Sequence, residues 1–210
     1  MKTAIFDMDG TLLDSMGIWE NITARFFDNY RLDYNMELFK IFQEMTLQES
    51  SLYIKENFLP EKTKDEVLNE LNELAAYEYR NTIQLKPYAK EYLEKLHSEG
   101  VIIGIATSGF YELCEAALTR CGVWHLISAV ALSSEVGVNK SNPDVYLLAA
   151  QKLGAKPEDC TVYEDILSGI GGAKKAGMKT VAIYDKSNEA LTEKIRAAAD
   201  VYIDSWKELL

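Results

Sequence analysis

Positive charge is scarce in this chain. Its 210 residues hold 22 Lys and Arg against 33 Asp and Glu, which leaves a formal net charge of −11. No basic run offsets this balance, so neither a nucleic-acid backbone nor an anionic membrane is expected as a partner. An anionic substrate would need a local cation, either a metal or a buried lysine. Cysteine is sparse as well. Cys114, Cys121 and Cys160 are odd in number and form no Cys-x-x-Cys pair, and reduced thiols in a cytoplasmic protein account for them most simply. Cys114 and Cys121 lie seven apart in a helical stretch and read as packing residues. No long apolar segment follows a basic start, so no signal peptide is expected, and no apolar run reaches membrane-spanning length.

Apolar residues make up 48% of the sequence, enough for a packed core. The length suits one large domain, or a core with a small second domain. The most informative stretch lies near the start. Thr3-Ala4-Ile5-Phe6 has the length and composition of a buried parallel strand, and it stops at Asp7-Met8-Asp9-Gly10-Thr11. Open α/β sheets keep their ligand crevice at the carboxyl ends of the strands. Asp7 and Asp9 flank one residue, so an extended backbone points both carboxylates the same way. Carboxylates this close repel unless a cation or a shared proton relieves them. A polar turn explains Asp9-Gly10 but not Asp7, which closes an apolar strand.

Helical spacing then takes over. It predicts helices over roughly 16–30, 35–42, 47–57 and 64–82, with no strand between Ser15 and Leu85. This reads as a helical domain over 15–85, set into a core made of 1–14 and 86–210, with hinges near Asp14-Ser15 and Leu85-Pro87. From Pro87 onward strands and helices alternate. Strands are expected at 101–106, 126–132, 160–163, 180–183 and 201–203. Helices are expected at 88–98, 110–121, 142–153, after Asp165 and at 189–199. Such alternation argues for a Rossmann-like α/β core with a central parallel sheet and helices on both faces.

Four polar sites then fall at or just beyond strand ends: Asp7 with Asp9, Thr107 with Ser108, Lys140 in the loop after the third strand, and Glu164 with Asp165. Each alone has an ordinary explanation. Thr107-Ser108 could cap a helix, Lys140 could be a solvated loop lysine, and Glu164-Asp165 could favour a helix dipole. Together, and in this order, they supply hard oxygen ligands for Mg2+ with hydroxyl, N–H and ammonium donors for a phosphate.

The chain resembles the haloacid dehalogenase-like (HAD) hydrolases, in the helical-cap branch that holds the β-phosphoglucomutase-like phosphatases. The resemblance rests on Asp7-Met8-Asp9-Gly10-Thr11-Leu12-Leu13-Asp14-Ser15, Ile105-Ala106-Thr107-Ser108, Lys140-Ser141-Asn142-Pro143-Asp144, and Glu164-Asp165 followed by Ser168-Gly169-Ile170 and Ala176-Gly177-Met178. It implies a magnesium-dependent phosphomonoester hydrolase acting on a small phosphorylated metabolite. Asp7 would be the nucleophile and a metal ligand, and Asp9 the acid–base, with its backbone carbonyl on the metal. Glu164 and Asp165 would complete the Mg2+ site. Thr107, the Ser108 N–H and Lys140 would hold the phosphoryl oxygens. The helical domain would act as a lid, and a monomer is expected because a lid must move.

The mutases of this branch use a cap histidine and arginine. The matching positions here look like Trp19 and Gln48, and the two histidines, His97 and His125, lie outside the cap. Water is therefore the expected phosphoryl acceptor, with a sugar phosphomutase or a non-catalytic binding protein as alternatives. Trp19, Gln43, Thr46 and Gln48 are the cap residues expected to face the substrate, although Trp19 also suits core packing. Uncharged groups there fit a sugar or polyol. Ile166 stands where the family usually has a serine.

Overall fold

The computed structural model describes residues 2–43, 45 and 47–210, without the side chains of Trp19, Glu20, Met36, Phe39, Lys40 and Gln43. In chain order its elements are β1 (Thr3–Phe6), α1 (Ile18–Asn29), α2 (Met36–Gln43), α3 (Leu47–Asn57), α4 (Lys64–Asn81), α5 (Ala89–Ser98), β2 (Ile102–Thr107), α6 (Tyr111–Arg120), β3 (Ile127–Leu132), α7 (Ser133–Val136), α8 (Asp144–Lys152), β4 (Cys160–Glu164), α9 (Leu167–Lys175), β5 (Lys179–Ile183), α10 (Thr192–Ala198) and β6 (Val201–Ile203). The chain divides into two compact units, Met1–Met16 with Ile83–Leu210, and Gly17–Thr82. Among the described residues no helix is long and apolar enough to cross a membrane.

The first unit is a six-stranded sheet in the order β3-β2-β1-β4-β5-β6, and all of its pairings are parallel. β1 lies centrally because all four of its side chains are buried, which suits a strand covered on both faces. Its side chains alternate between two cores. Ile5 joins a cluster with Val145, Tyr146, Ala149 and Ala150 of α8 and Ala173 of α9. Phe6 faces the other way, where it stacks on Tyr163 at 4.3 Å and lies 5.7 Å from the buried Trp206. Helices therefore cover both faces. β1 lies between β2 and β4. The chain runs from β1 outward through β2 to β3 and then crosses back to β4, so the strand order reverses beside Asp7. In open α/β sheets this switch point opens a crevice.

The second unit, Gly17–Thr82, is all helical and has its own core of Ile22, Phe26, Phe27, Phe42, Ile54, Leu59, Val67, Leu71 and Ala75. The start of α4 follows from sequence. The Thr63 hydroxyl accepts from the Glu66 N–H at 3.2 Å, and the Glu66 carboxylate accepts from the Thr63 N–H at 2.7 Å. This reciprocal box satisfies two otherwise unpaired donors.

Several boundaries differ from the sequence expectation. The helix expected at 189–199 opens earlier, as a 3-10 turn over Lys186–Leu191, and only then becomes α10. Asp185 is the cause, since its carboxylate accepts from the Ser187 N–H at 2.9 Å and starts the turn. The helix after Pro87 begins at Ala89 because Tyr88 adopts a left-handed φ of +67°. The short helix α7 gave no periodic signal. Of the two cysteines expected to pack, Cys114 is buried, whereas Cys121 caps the end of α6, is only half-buried and points toward the Ile83 carbonyl.

Candidate active site

The register of β1 carries Asp7 one residue beyond the Phe6 pairs with Ile105 and Tyr163. Its backbone N–H donates to the Tyr163 carbonyl at 2.9 Å. Asp7 is thereby fixed between β2 and β4 at the switch point. Asp7, Glu164 and Asp165 are all buried, and each offers an oxygen within 4.8 Å of the others. Lys140 enters from the loop before α8. Its ammonium donates to Asp7 Oδ1 and, at 2.7 Å, to Glu164 Oε1.

The backbone around these groups is shaped for close approach. A Cβ on Gly169 would collide with the Glu164 carboxyl group. One on Gly172 would run into the carbonyls of Lys140 and Asn142. The glycines of α9 therefore let the helix lie against both Glu164 and the loop that bears Lys140. Gly10 has a φ of +83°, and its Cα abuts the Asp165 carboxylate. Glycine alone takes that conformation without strain while leaving room for the neighbouring oxygen.

Three carboxyl groups share one ammonium in this pocket. Burial works against the Lys140 charge, but the Asp7 and Glu164 carboxylates outweigh it and hold the ammonium above the ordinary lysine range. Burial pushes the Glu164 carboxyl up, with Lys140 opposing and Asp7 reinforcing. Burial and then the charges of Asp7 and Glu164 push Asp165 well above the usual carboxylate range. All three carboxyl groups offer hard oxygens, which suits a divalent cation. Burial, with Asp9 and Asp7, pushes the Cys114 thiol up, against thiolate formation.

Asp9 occupies a different setting from Asp7. Its Oδ1 accepts from the Ser15 hydroxyl at 2.7 Å, and its carboxylate is not among the three that cluster. Thr107 ends β2 and is buried, and its Oγ1 accepts from the Gly109 N–H at 3.0 Å. Gly109 lies between the two, and a Cβ there would sit 3.4 Å from Thr107 Oγ1 and 3.8 Å from Asp9 Oδ2. Ser108 is exposed, with its hydroxyl 3.1 Å from that of Ser133.

Four residues tie the site together without having drawn a role from the sequence. Thr11 Oγ1 donates to Asp165 Oδ1 at 2.9 Å. Tyr146 donates to Glu164 Oε1 at 2.8 Å from within the core. Ser15 holds Asp9. Asn188 donates to Asp165 Oδ2 at 2.8 Å. Thr11 and Ser15 lie inside the first motif, and Tyr146 is a polar tip on the apolar face of α8. Asn188 carried no signal, being one polar residue in a polar loop. The cap candidates fare differently. Gln48 is exposed on α3, whereas Thr46 and the side chains of Trp19 and Gln43 lie outside the described residues. His97 and His125 are exposed in the first unit.

The family model for haloacid dehalogenase-like hydrolases matches residues 1–177. The chain belongs to this family. Like its HAD relatives it is a hydrolytic enzyme, and several of the curated proteins it resembles are named phosphatases. The glyceraldehyde 3-phosphate phosphatase of Methanopyrus kandleri is 32% identical over 100% of this chain and 96% of its own length. The validoxylamine A 7'-phosphate phosphatase of Streptomyces hygroscopicus is 29% identical over 99% of this chain and 95% of its own. Among solved structures, a putative β-phosphoglucomutase from Thermotoga maritima superposes with a TM-score of 0.86 at 24% identity, covering 100% of this chain and 97% of that one. That likeness establishes the HAD fold, a Rossmann-like core with a helical insert after its first strand. The acidic cluster lies where the HAD architecture opens its crevice, and it is suited to the divalent metal these hydrolases generally use.

Proposed function

We propose that this HAD hydrolase is a magnesium-dependent phosphomonoester hydrolase that works through an aspartyl phosphate on Asp7. The observation that most supports this reading is the buried cluster of Asp7, Glu164 and Asp165 with Lys140 at the switch point. These carboxylates, with the Asp9 backbone carbonyl, would hold the magnesium ion. When bound, it supplies positive charge that offsets the repulsion between a carboxylate and a phosphate dianion.

An Asp7 carboxylate oxygen forms a bond to phosphorus as the ester P–O bond breaks. Asp9 gives its proton to the departing oxygen, then takes one from the water that attacks phosphorus. The bond from Asp7 to phosphorus breaks, inorganic phosphate leaves and the carboxylate is restored. Lys140, the Thr107 hydroxyl and the Ser108 N–H hold the phosphoryl oxygens as charge shifts among them. Asp9 and Asp7 differ in setting, as two carboxylates with different tasks require.

The substrate we infer is a small phosphorylated metabolite, a sugar or polyol phosphate. The named activities of the curated relatives support this class, among them the hexitol phosphatase B of Escherichia coli, 26% identical over 98% of this chain. The net charge of −11 speaks against nucleic acid or an anionic membrane as partner. We assign the helical unit Gly17–Thr82, within the 15–85 expected from sequence, as the cap domain, and a cytoplasmic monomer as the working form, a location supported by the three free thiols.

The test is release of phosphate from p-nitrophenyl phosphate and from a panel of triose, hexose and hexitol phosphates, with magnesium and with EDTA. Turnover that EDTA and Asp7→Asn both abolish is expected. No turnover on any ester, or full activity in Asp7→Asn, would overturn the reading.

A further inference from the structure

Asp165 draws its orientation from far away in the chain. Ile166, the residue after it, has no side-chain donor, and the Ile166 N–H is committed to Glu164 Oε2 at 3.3 Å. The Asp165 N–H also goes to Glu164 Oε2, at 3.1 Å. The two carboxylate oxygens of Asp165 are held instead by Thr11 on Oδ1 and by Asn188 on Oδ2.

Asn188 does more than contact one oxygen. Its Nδ2 lies 2.8 Å from Asp165 Oδ2 and 3.3 Å from the Asp165 backbone carbonyl. Both partners are acceptors, so only the NH2 end of the amide can face them. One amide group thus clamps the side chain and the main chain of the same residue. The turn that delivers it is anchored in its own right. The Asn188 N–H donates to the Asp185 carbonyl at 3.0 Å. Asp185 Oδ1 accepts from the Ser187 N–H and hydroxyl at 2.9 and 2.6 Å. Its Oδ2 pairs with Lys86 Nζ at 2.8 Å.

We propose that Asn188 is a positioning residue of the metal site, holding the Asp165 carboxylate in the cluster with Asp7 and Glu164. The proposal rests on reading that cluster as the magnesium site. The oxygens of three carboxyl groups lie within 4.8 Å of one another, and any charge they share as carboxylates would turn the Asp165 carboxyl group outward. A hydrogen bond to each of its oxygens opposes that rotation before any cation arrives. Asn188 is also neutral. A lysine or arginine in its place could fix the carboxylate equally well, but its charge would compete with a cation. Partners that orient ligands in this way are commonly worth 10- to 100-fold in metal affinity.

The experiment is calorimetric titration of MgCl2 into the wild-type protein, Asn188→Leu and Asn188→Ala, with no substrate present. Asn188→Leu keeps the bulk and loses the donor, and Asn188→Ala serves should the larger side chain disturb the turn. Asn188 is half-buried, so both variants are expected to fold. Each should bind magnesium about tenfold more weakly than wild type. At limiting magnesium their turnover of p-nitrophenyl phosphate should fall with the lost affinity and rise again as magnesium is added. A purely structural residue would instead lower the melting temperature of the metal-free protein and leave magnesium affinity unchanged, and that result would overturn the inference. A wild-type protein that takes up no magnesium would overturn the reading of the site itself, whatever the variants do.

Discussion

Ser15 donates its hydroxyl to Oδ1 of Asp9 across 2.7 Å. The contact ties the acid–base candidate to the end of the segment that leads into the helical insert. Ser15 is itself buried, so the bond is shielded from competing water. Ser15→Ala removes the donor while the volume barely changes. We expect kcat to fall about tenfold, by the usual worth of one hydrogen bond to a charged group, with KM little altered. Steady-state kinetics at saturating magnesium check this. An unchanged kcat would mean that Asp9 is oriented by other groups.

Lys140 is the only ammonium among three buried carboxylates in the cluster described. Lys140→Met leaves those charges uncompensated. Phosphatase activity should be lost, and the metal-free protein should lose about 3–5 kcal/mol of stability, as when one partner of a buried pair is removed. Lys140→Arg should fail to rescue turnover, because a planar fork does not occupy the place of a compact point charge. Denaturant unfolding in EDTA, alongside the phosphatase assay, measures both effects.

Two neighbouring glycines in α9 give a matched pair. A Cβ on Gly172 would meet the Asn142 carbonyl at 2.7 Å and the Lys140 carbonyl closer still, whereas one on Gly171 meets nothing within 4 Å. Gly172→Ala should therefore push the Lys140 loop away, at a cost of about 1–3 kcal/mol, and should reduce activity sharply. Gly171→Ala should leave activity intact and raise stability by about 0.5–1 kcal/mol. Equal effects from the two substitutions would contradict the packing described.

This pair also marks what the sequence could and could not reveal. A glycine-rich helix after Glu164-Asp165 was visible, but only the structure separates the two glycines that face the site from the one that faces open space. The strand ends of Asp7, Thr107 and Glu164 were legible because a buried parallel strand writes itself as a short apolar run with a polar stop. Tyr146 and Asn188 were not legible. Their partners lie 18 and 23 residues away in the chain, and a contact between remote segments leaves no local period. Helical spacing places Glu189–Leu191 in the last long helix, whereas they belong to the turn over Lys186–Leu191 that the Asp185 side chain starts.

Asp185 also makes its own contribution to the pH dependence of stability. Burial tends to raise its carboxyl, but Lys86 and the Ser187 donors outweigh burial and hold it below the usual carboxylate range. The unfolded chain therefore binds a proton at higher pH than the folded one. The resulting stability is complete above the ordinary carboxylate value and is lost as pH falls through the depressed one. Asp185→Asn should cost about 2 kcal/mol near neutral pH, and the difference from wild type should shrink toward zero in acid. Denaturant unfolding of both proteins as a function of pH checks the sign. A gap that widens in acid would be the wrong one.

The central claim is that an oxygen of Asp7 becomes bonded to phosphorus during turnover. Borohydride added to the working enzyme reduces an acyl phosphate to an alcohol, and peptide mass mapping then locates it. The account predicts conversion of residue 7 to homoserine, dependent on both substrate and magnesium and absent when either is withheld. Conversion at another carboxylate, or none while phosphate is being released, would contradict it.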